Sequence, residues 1–300
     1  MGKELADKFP VARQTFEEAD AALGFALSRL CFEGPEENLK LTENTQPAIL
    51  TVSVAALRVL REHGLGCGWT AGHSLGEYSA HVAAGTLDFA DAVRTVRNRG
   101  RYMQEAVPVG QGGMAAILGL AAEKLAAACE EAAQGEVVQA ANLNSPDQLV
   151  ISGAKAAVER AAEAAKKQGA KRAILLPVSA PFHCALMQPA QDRLASDLCA
   201  LAFRAPQFPV VANVDAEPVT TANAARDALI RQVTGAVQWE KSMRRLIAEG
   251  VQDFVELGPG KVLCGLMKQI DRSRNCMNVE DSASLERTLK YFEQAKAEAL

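Results

Sequence analysis

Ser74 lies at the centre of the sequence G-H-S-L-G, which runs from Gly72 to Gly76. A short apolar segment precedes this sequence and an alanine-rich helical pattern follows it, which is the setting of a serine presented on a sharp strand-to-helix turn. The glycines permit a tight turn, and the helix N-terminus favours negative charge that develops beside the serine. An ordinary turn with a capping serine is the alternative. The pattern favours a nucleophilic serine that carries an acyl group.

A nucleophilic serine needs a base, and the chain contains four histidines. His73 adjoins the serine and should point elsewhere, while His63 ends a predicted helix. His81 lies seven residues further along the helix that follows, about 10 Å up its axis. Elimination leaves His183, in V-S-A-P-F-H-C-A-L-M, with a structural histidine as the alternative. Because adjacent residues of an extended segment point to opposite sides, we interpret Cys184 as a buried thiol rather than as a nucleophile.

Arg99 lies on a predicted helix whose apolar residues share one face. It projects beside Ala92 and Met103, at the edge of that face, and an unpaired guanidinium is costly to bury. Its anionic partner is either an Asp or Glu of the fold or the carboxylate of a substrate, bound as a bidentate pair. The sequence leaves both open.

The segment E-L-G-P-G-K, Glu256–Lys261, places a glycine-rich loop before a helix. Such a loop can bind an anion at the helix N-terminus. It lacks the spacing of a Walker motif, and a tight turn with a solvated Lys261 is the equal alternative.

Composition narrows the function classes. The 300 residues are 49% hydrophobic and 23% charged, with a net charge of −4. The sequence contains no stripe of Lys and Arg residues, which argues against binding to nucleic acid or to a membrane surface. No apolar stretch could span a bilayer and the charged first residues do not fit a signal peptide, so we expect a soluble, cytoplasmic protein. Seven cysteines without a C-x-x-C pair argue against a zinc ribbon or thioredoxin motif and favour reduced thiols.

The helical pattern of the first hundred residues is interrupted at few places. Helical spacing opens the chain, Pro47 is expected to start a second helix, and Gly64 and Gly66 to close it. A third predicted helix follows the serine motif, and Asp88 is expected to cap a long helix that reaches about Val107.

The pattern changes after a glycine-rich linker at 110–113. Strands are predicted near 114–120, 137–142, 149–152 and 172–178, with helices at 121–133 and 154–168. Their order, β-α-β-β-α-β, is that of a ferredoxin-like unit.

Beyond residue 181 the helical pattern resumes. Helices are predicted near 186–200, 223–233, 239–249 and 261–270 and from 284, with a strand at 254–257. Such alternation indicates a mostly parallel sheet covered on both faces. We predict the α/β class, with a large domain of residues 1–111 and 179–300 and an inserted small domain of residues 112–178.

Five motifs carry a family resemblance: G-H-S-L-G-E-Y-S-A, R-G-R-Y-M-Q-E-A-V-P, A-N-L-N-S-P-D-Q-L-V-I-S-G, S-A-P-F-H-C-A-L-M and E-L-G-P-G-K-V-L. Together they resemble the malonyl-CoA:acyl carrier protein transacylases of bacterial fatty-acid synthesis, over nearly the whole chain. The resemblance implies an α/β-hydrolase-like large domain and a ping-pong reaction. Malonyl-CoA would acylate the serine, and the phosphopantetheine thiol of acyl carrier protein would take the malonyl group.

The resemblance also implies the roles of individual residues. His183 would act as base and then acid, oriented by the main-chain carbonyl of Gln232. Arg99 would hold the malonyl carboxylate, Met103 would line the pocket, and the Leu75 N–H would donate to the oxyanion. Neither metal nor cofactor is implied, and we expect a monomer.

Acyl carrier protein is acidic, so a basic rim should face it. Lys166, Lys167, Lys171 and Arg172 of the small domain are candidates for that rim, with solvated surface charge as the alternative.

The chain departs from the family at its start. Family members begin with a strand and a G-Q-G-S-Q loop that supplies a second oxyanion donor, whereas Met1 lies where the family enters its first helix. We expect that the true start lies upstream, the alternative being an impaired protein. A serine esterase of the α/β-hydrolase type and a non-enzymatic module that docks carrier protein are the competing hypotheses.

Overall fold

Helices and short strands alternate along the computed structural model, which describes residues 1–178 and 180–298. The predicted α/β class is confirmed. The expected domain boundary at residue 179 and the final residues 299 and 300 lie outside the described part. The helices are α1 Lys3–Lys8, α2 Pro10–Leu23, α3 Leu27–Glu33, α4 Glu36–Lys40, α5 Thr42–Glu62, α6 Gly76–Ala83, α7 Phe89–Glu105, α8 Ala122–Ala133, α9 Lys155–Lys167, α10 Gln188–Cys199, α11 Ala222–Arg231, α12 Trp239–Ala248, α13 Val262–Ile270 and α14 Ser282–Glu298.

The described strands form three sheets. One has the order β1-β6-β7, with β1 and β6 parallel and β6 and β7 antiparallel, and another is the parallel pair β8-β9. The third is antiparallel, with the order β3-β4-β2-β5. The strands are β1 Thr70–Ala71, β2 Gly112–Leu118, β3 Val138–Ser145, β4 Gln148–Ala154, β5 Arg172–Leu175, β6 Val210–Val211, β7 Pro218–Val219, β8 Asp253–Leu257 and β9 Asn275–Val279.

The antiparallel sheet and helices α8 and α9 follow the order β-α-β-β-α-β. They enclose a hydrophobic core of their own, which includes Ile117, Leu125, Ile151 and Val158. Strands β2 and β4 are central in this sheet, and both are mostly buried. This separate core supports the proposed division of the chain at residues 112–178.

The main core surrounds α5, which is buried along most of its length and contacts α2 and α7. Gly100 of α7 permits the close approach of α7 to the first turn of α5. A Cβ atom at Gly100 would lie 2.6 Å from the Glu43 Cα and 2.6 Å from the Thr42 carbonyl oxygen. Because backbone atoms cannot rotate away, only glycine fits this crossing.

A Gly100→Ala variant is expected to lose about 1–3 kcal/mol of unfolding free energy, since the added methyl group must push two helices apart. Gly265 of α13 provides the matched control, because a Cβ atom there meets nothing within 4 Å. Gly265→Ala should stabilise the protein by about 0.5–1 kcal/mol, as alanine does in an exposed helix interior. Urea unfolding of both variants measures the two changes, and equal stabilities would contradict the close crossing.

One predicted helix boundary is wrong, and one predicted helix cap differs in its hydrogen bonds. Pro47 does not start α5 but lies inside it, because the Leu41 carbonyl accepts from the Asn44 and Thr45 N–H groups and closes the first turn before the proline. Asp88 does occupy the N-cap of α7, but its carboxylate forms a bidentate pair with Arg204 rather than capping the helix. A charged, two-pronged partner competes successfully with a backbone N–H.

The expectation of reduced thiols is wrong for one pair of cysteines. Cys264 of α13 and Cys276 of β9 form a disulfide with their Cα atoms 5.3 Å apart. These elements are adjacent only in the folded chain, so the sequence spacing gave no sign of the pair. The other five cysteines are free.

A cleft of about 600 Å³ separates two of the sheets. Its lining includes β1 on one side and β8 on the other, together with apolar side chains of α5, α6 and α13. Among the described residues β1 pairs only with β6, and β8 only with β9. The parallel pairs β1-β6 and β8-β9 therefore belong to two separate small sheets, with the cleft between them.

Candidate active site

The nucleophile turn (residues 72–76) joins β1 to α6 and holds Ser74 in a left-handed conformation, with φ of 51°. Gly72 is required by space, since a Cβ atom there would lie 1.9 Å from the Gly76 carbonyl oxygen. Gly76 is not, because a Cβ atom on it meets nothing within 4 Å. The strained serine is stabilised by its own N–H, which donates to Asn213 Oδ1 at 2.7 Å.

His183 lies beside the serine, with its Nε2 atom 2.6 Å from Ser74 Oγ. Its other ring nitrogen, Nδ1, is 2.9 Å from the main-chain oxygen of Gln232. A carbonyl can only accept, so Nδ1 carries the proton and Nε2 is left to accept from the serine hydroxyl. This is the arrangement of a serine with its general base.

The other three histidines lie away from the hydroxyl. His73 Nε2 contacts Asn144 Oδ1 at 2.8 Å, and exposed His63 is bound to the Val59 carbonyl. His81 is fully buried, and neither of its ring nitrogens has a partner among the described residues. Cys184 is also fully buried and its thiol donates to the Pro181 carbonyl.

Burial, together with the nearby Arg99 cation, lowers the pKa of His183 to about 3. The imidazole is therefore neutral at physiological pH and its Nε2 lone pair is available. A base of this kind accepts a proton only in the transition state and returns it readily.

Arg99 is 2% exposed and its guanidinium lies at the nucleophile. Its Nη2 atom donates to Ser74 Oγ at 3.1 Å and to Gln232 Oε1 at 2.9 Å, and its Nη1 atom donates to Gln46 Oε1 at 2.7 Å. No Asp or Glu of the described chain lies within ion-pair distance of it, so the structural ion pair left open by the sequence is not present there. The Nε atom has no partner among the described residues. Since Nε and Nη2 form one edge of the guanidinium, that edge can bind a carboxylate beside the serine.

Three polar residues at this site were not singled out from the sequence: Gln46, Asn213 and Glu77. All three are buried, at 6%, 1% and 0% exposure respectively. Gln46 contacts the arginine, and Asn213 contacts the nucleophile turn. The available signal was weak, namely a polar side chain next to an apolar run.

Leu75 and Met103 complete the set of predicted site residues. Leu75 is the N-cap of α6, so its N–H belongs to the helix terminus directly behind the serine. Met103 lies one turn after Arg99, is 1% exposed and packs in the main core. Its role in lining a substrate pocket stays a prediction.

The glycine-rich loop after β8 precedes α13 as expected. The Glu256 carboxylate accepts the N–H groups of Leu263 and Cys264, at 3.0 and 2.8 Å. This helix terminus thus already binds a carboxylate of the chain, and the loop offers little to a further anion.

The small-domain cations are partly engaged. Lys166 pairs with Glu163 at 2.7 Å, and the Lys171 stem packs over Gly119. Neither contact singles out a surface for a protein partner.

In the described part of the chain, no group of His, Cys, Asp and Glu residues could hold a metal ion. Nor does any helix there have the length and apolar character that crossing a bilayer demands.

Comparisons with known proteins agree on one family. A family model described as an acyl transferase domain matches residues 1–298. The malonyl CoA-acyl carrier protein transacylase of Escherichia coli O157:H7 is 56% identical over 268 residues, 89% of this chain and 87% of that protein. An acyl carrier protein S-malonyltransferase from Vibrio cholerae has a TM-score of 0.94 at 50% identity, covering 96% of this chain and 94% of that one. A malonyl-transacylase solved in complex with a type II PKS acyl-carrier protein also gives 0.94 at 50% identity, covering 97% and 94%.

Proposed function

The chain belongs to the family of malonyl CoA-acyl carrier protein transacylases, and we propose that it transfers a malonyl group from malonyl-CoA to the phosphopantetheine thiol of acyl carrier protein. The contact between Ser74 Oγ and His183 Nε2 at 2.6 Å, with Arg99 donating to the same oxygen, carries the proposal. These groups supply a nucleophile, a base and a carboxylate ligand. We propose that no cofactor is needed.

In the first half-reaction, Ser74 Oγ attacks the thioester carbonyl while His183 Nε2 takes the hydroxyl proton. A tetrahedral oxyanion forms, and the Leu75 N–H donates to it. The C–S bond then breaks, and the histidinium returns its proton to the departing CoA sulfur. The products are a malonyl ester of Ser74 and CoA with a free thiol.

In the second half-reaction the phosphopantetheine thiol takes the place of the CoA thiol. His183 accepts the thiol proton as the sulfur attacks the ester carbonyl, and then protonates Ser74 Oγ as the C–O bond breaks. The malonyl group leaves as a thioester of the carrier protein, and the serine is restored.

Arg99 is proposed to hold the malonyl carboxylate throughout. Its Nη2 atom contacts Ser74 Oγ, and its Nε atom is buried without a hydrogen-bond partner among the described residues. The malonyl carboxylate is separated from the ester carbonyl by one methylene group. A buried guanidinium without a carboxylate partner gains most from an anionic acyl group. An uncharged acyl group offers no such gain, which favours a malonyl group over the neutral acyl groups of a general esterase.

The direct test is incubation of the protein with malonyl-CoA, followed by intact-mass measurement. A malonyl adduct is expected, and it should disappear when holo carrier protein is added and gains the same mass. A protein that stays unmodified while remaining folded would refute the enzyme and support the docking module instead.

The rate of adduct formation should change less than about twofold between pH 8 and pH 5.5. The reason is that His183, with its pKa lowered to about 3, stays in the neutral, proton-accepting form over this range. A histidine with an ordinary pKa near 6.5 would lose about tenfold in its neutral form over the same interval. Quenched-flow mass measurement gives the rate, with circular dichroism at each pH to correct for the folded fraction. A tenfold fall in the corrected rate would show that the histidine titrates normally.

A further inference from the structure

Glu77 is a carboxylate at the centre of the site that the proposed mechanism does not use. It lies on α6, three residues after the nucleophile, and is fully buried. One oxygen, Oε2, accepts the Asn213 N–H at 3.1 Å and a Gln232 Nε2 hydrogen at 2.7 Å. Burial raises the pKa of Glu77 to about 7. A carboxylate is costly to bury, and its two hydrogen-bond donors, Asn213 and Gln232, offset part of that cost.

The first donor, Asn213, connects Glu77 to the nucleophile turn. Asn213 Oδ1 accepts the Ser74 N–H, and Asn213 Nδ2 donates to the Gly72 carbonyl, each at 2.7 Å. The same side chain therefore grips the turn on both sides of its strained residue. Since Ser74 holds a positive φ, the turn depends on such outside contacts to stay in place.

The second donor, Gln232, connects Glu77 to the base and the arginine. Its main-chain oxygen orients His183, its Oε1 accepts from Arg99, and its Nε2 also donates to the Ser74 carbonyl. A side-chain amide could turn over and present its NH₂ group to the arginine, which would place two donors together. Glu77 Oε2 accepts in the carboxylate, and also in the carboxyl when the proton is on Oε1, so it keeps the NH₂ group on its own side and the amide oxygen toward Arg99.

We propose that Glu77 is a positioning residue, whose Oε2 atom fixes Asn213 and the Gln232 amide and thereby aligns Ser74, His183 and Arg99 with one another. The proposal rests on the acyl transfer proposed above. The role requires only a hydrogen-bond acceptor at the position of Oε2, and Glu77 still provides that acceptor when its carboxyl group is protonated. The other oxygen, Oε1, has no partner in the described chain and lies 4.0 Å from His81 Nε2.

Substitutions of Glu77 separate this role from simple packing. Glu77→Gln keeps an acceptor oxygen toward Asn213 and Gln232 and turns its NH₂ group toward His81, so malonyl transfer should stay within about threefold of the wild type. Glu77→Ala removes the acceptor. Its kcat should fall about 10²-fold, the cost of a misplaced catalytic group. Its preference for malonyl over acetyl should fall with it, because Arg99 then loses the acceptor at Gln232 Oε1 and keeps only Gln46 and Ser74. If the alanine variant does not fold, Glu77→Met fills the space without an acceptor and should give the same two losses.

Glu256→Ala is the matched control, because that carboxylate also accepts two N–H groups but stabilises α13 rather than the site. It should lower the melting temperature and leave the rate per folded molecule and the acyl preference unchanged. The proposal is overturned if Glu77→Gln is as impaired as Glu77→Ala, or if the alanine and methionine variants keep the wild-type preference per folded molecule. Failure of the proposed function looks different, since the wild type itself would then form no malonyl adduct.

Discussion

Ser74→Ala is expected to abolish the malonyl adduct and to lower transfer to carrier protein by about 10⁴–10⁶-fold, the loss seen when a nucleophile is removed from a triad-like site. The substitution deletes the only atom that contacts both His183 Nε2 and Arg99 Nη2 in the described structure. Alanine keeps the backbone of the turn, so binding of malonyl-CoA should survive. Intact-mass measurement reports the adduct, and a radiolabelled transfer assay reports the rate.

Ser79→Ala is the control for this experiment. Ser79 lies on the same helix as the turn, and its buried hydroxyl has no hydrogen-bond partner in the described chain. Its removal should leave the adduct and the rate as they are. If Ser74→Ala still acquired a stable malonyl group, the nucleophile would have to be another residue and the mechanism would be wrong.

Arg99→Ala is expected to lower kcat/KM for malonyl transfer by about 10²–10³-fold, which is the usual cost of losing one partner of a buried charged pair. Acetyl transfer should fall much less, since an acetyl group has no carboxylate to bind. The ratio of the two rates isolates the carboxylate contact from the hydrogen bonds that Arg99 also makes to Ser74, Gln46 and Gln232. Competition between malonyl-CoA and acetyl-CoA in one reaction measures this ratio directly.

Two further arginine variants sharpen the result. Arg99→Lys keeps the positive charge but cannot bind a carboxylate in a bidentate pair. Its ratio of malonyl to acetyl transfer should lie between those of the wild type and the alanine variant. Arg94→Ala removes an exposed arginine of the same helix, which pairs with Asp91, and should change neither rate. An unchanged malonyl preference in Arg99→Ala would contradict the assignment of this residue to the substrate carboxylate.

The sequence predicted the parts of the site that stand out by type and position. A serine between glycines, four histidines to choose from and an arginine at the edge of an apolar face are local patterns. The structure brings both His183 and Arg99 within hydrogen-bonding distance of Ser74 Oγ. Their catalytic roles remain predictions until the variants are measured.

The residues that support these three could not be found in the same way. Glu77 is one of many glutamates in helical patterns and would be assigned to the surface, and it is buried because α6 turns it toward Asn213 and Gln232. Both donors lie more than a hundred residues further along the chain. Such contacts depend on tertiary structure, which local periodicity does not contain.

Strands β6, β7 and β9 were not predicted from the sequence, because short or mixed strands carry little pattern. Strands β6 and β7 have two residues each, too few to show an alternating pattern, and β9 mixes polar and apolar residues as N-C-M-N-V. The long helices were predicted within a few residues because amphipathic periodicity accumulates over several turns. The boundary error at Pro47 arose because the first turn of α5 closes on the Leu41 carbonyl before the proline. The expected side-chain cap at Asp88 is absent because its carboxylate pairs with Arg204.

The uncharged partner of His183 has a consequence for the lifetime of the acylated protein. The Gln232 carbonyl fixes the ring but adds no negative charge to stabilise a protonated imidazole. A thiol has a pKa near 8.5 and ionises even beside a weak base. Water has a much higher pKa and needs a strong base to remove its proton before it can attack the ester. A weak base therefore discriminates between the two acceptors. In the proposed mechanism, the malonyl ester of Ser74 therefore reacts with the carrier thiol faster than with water.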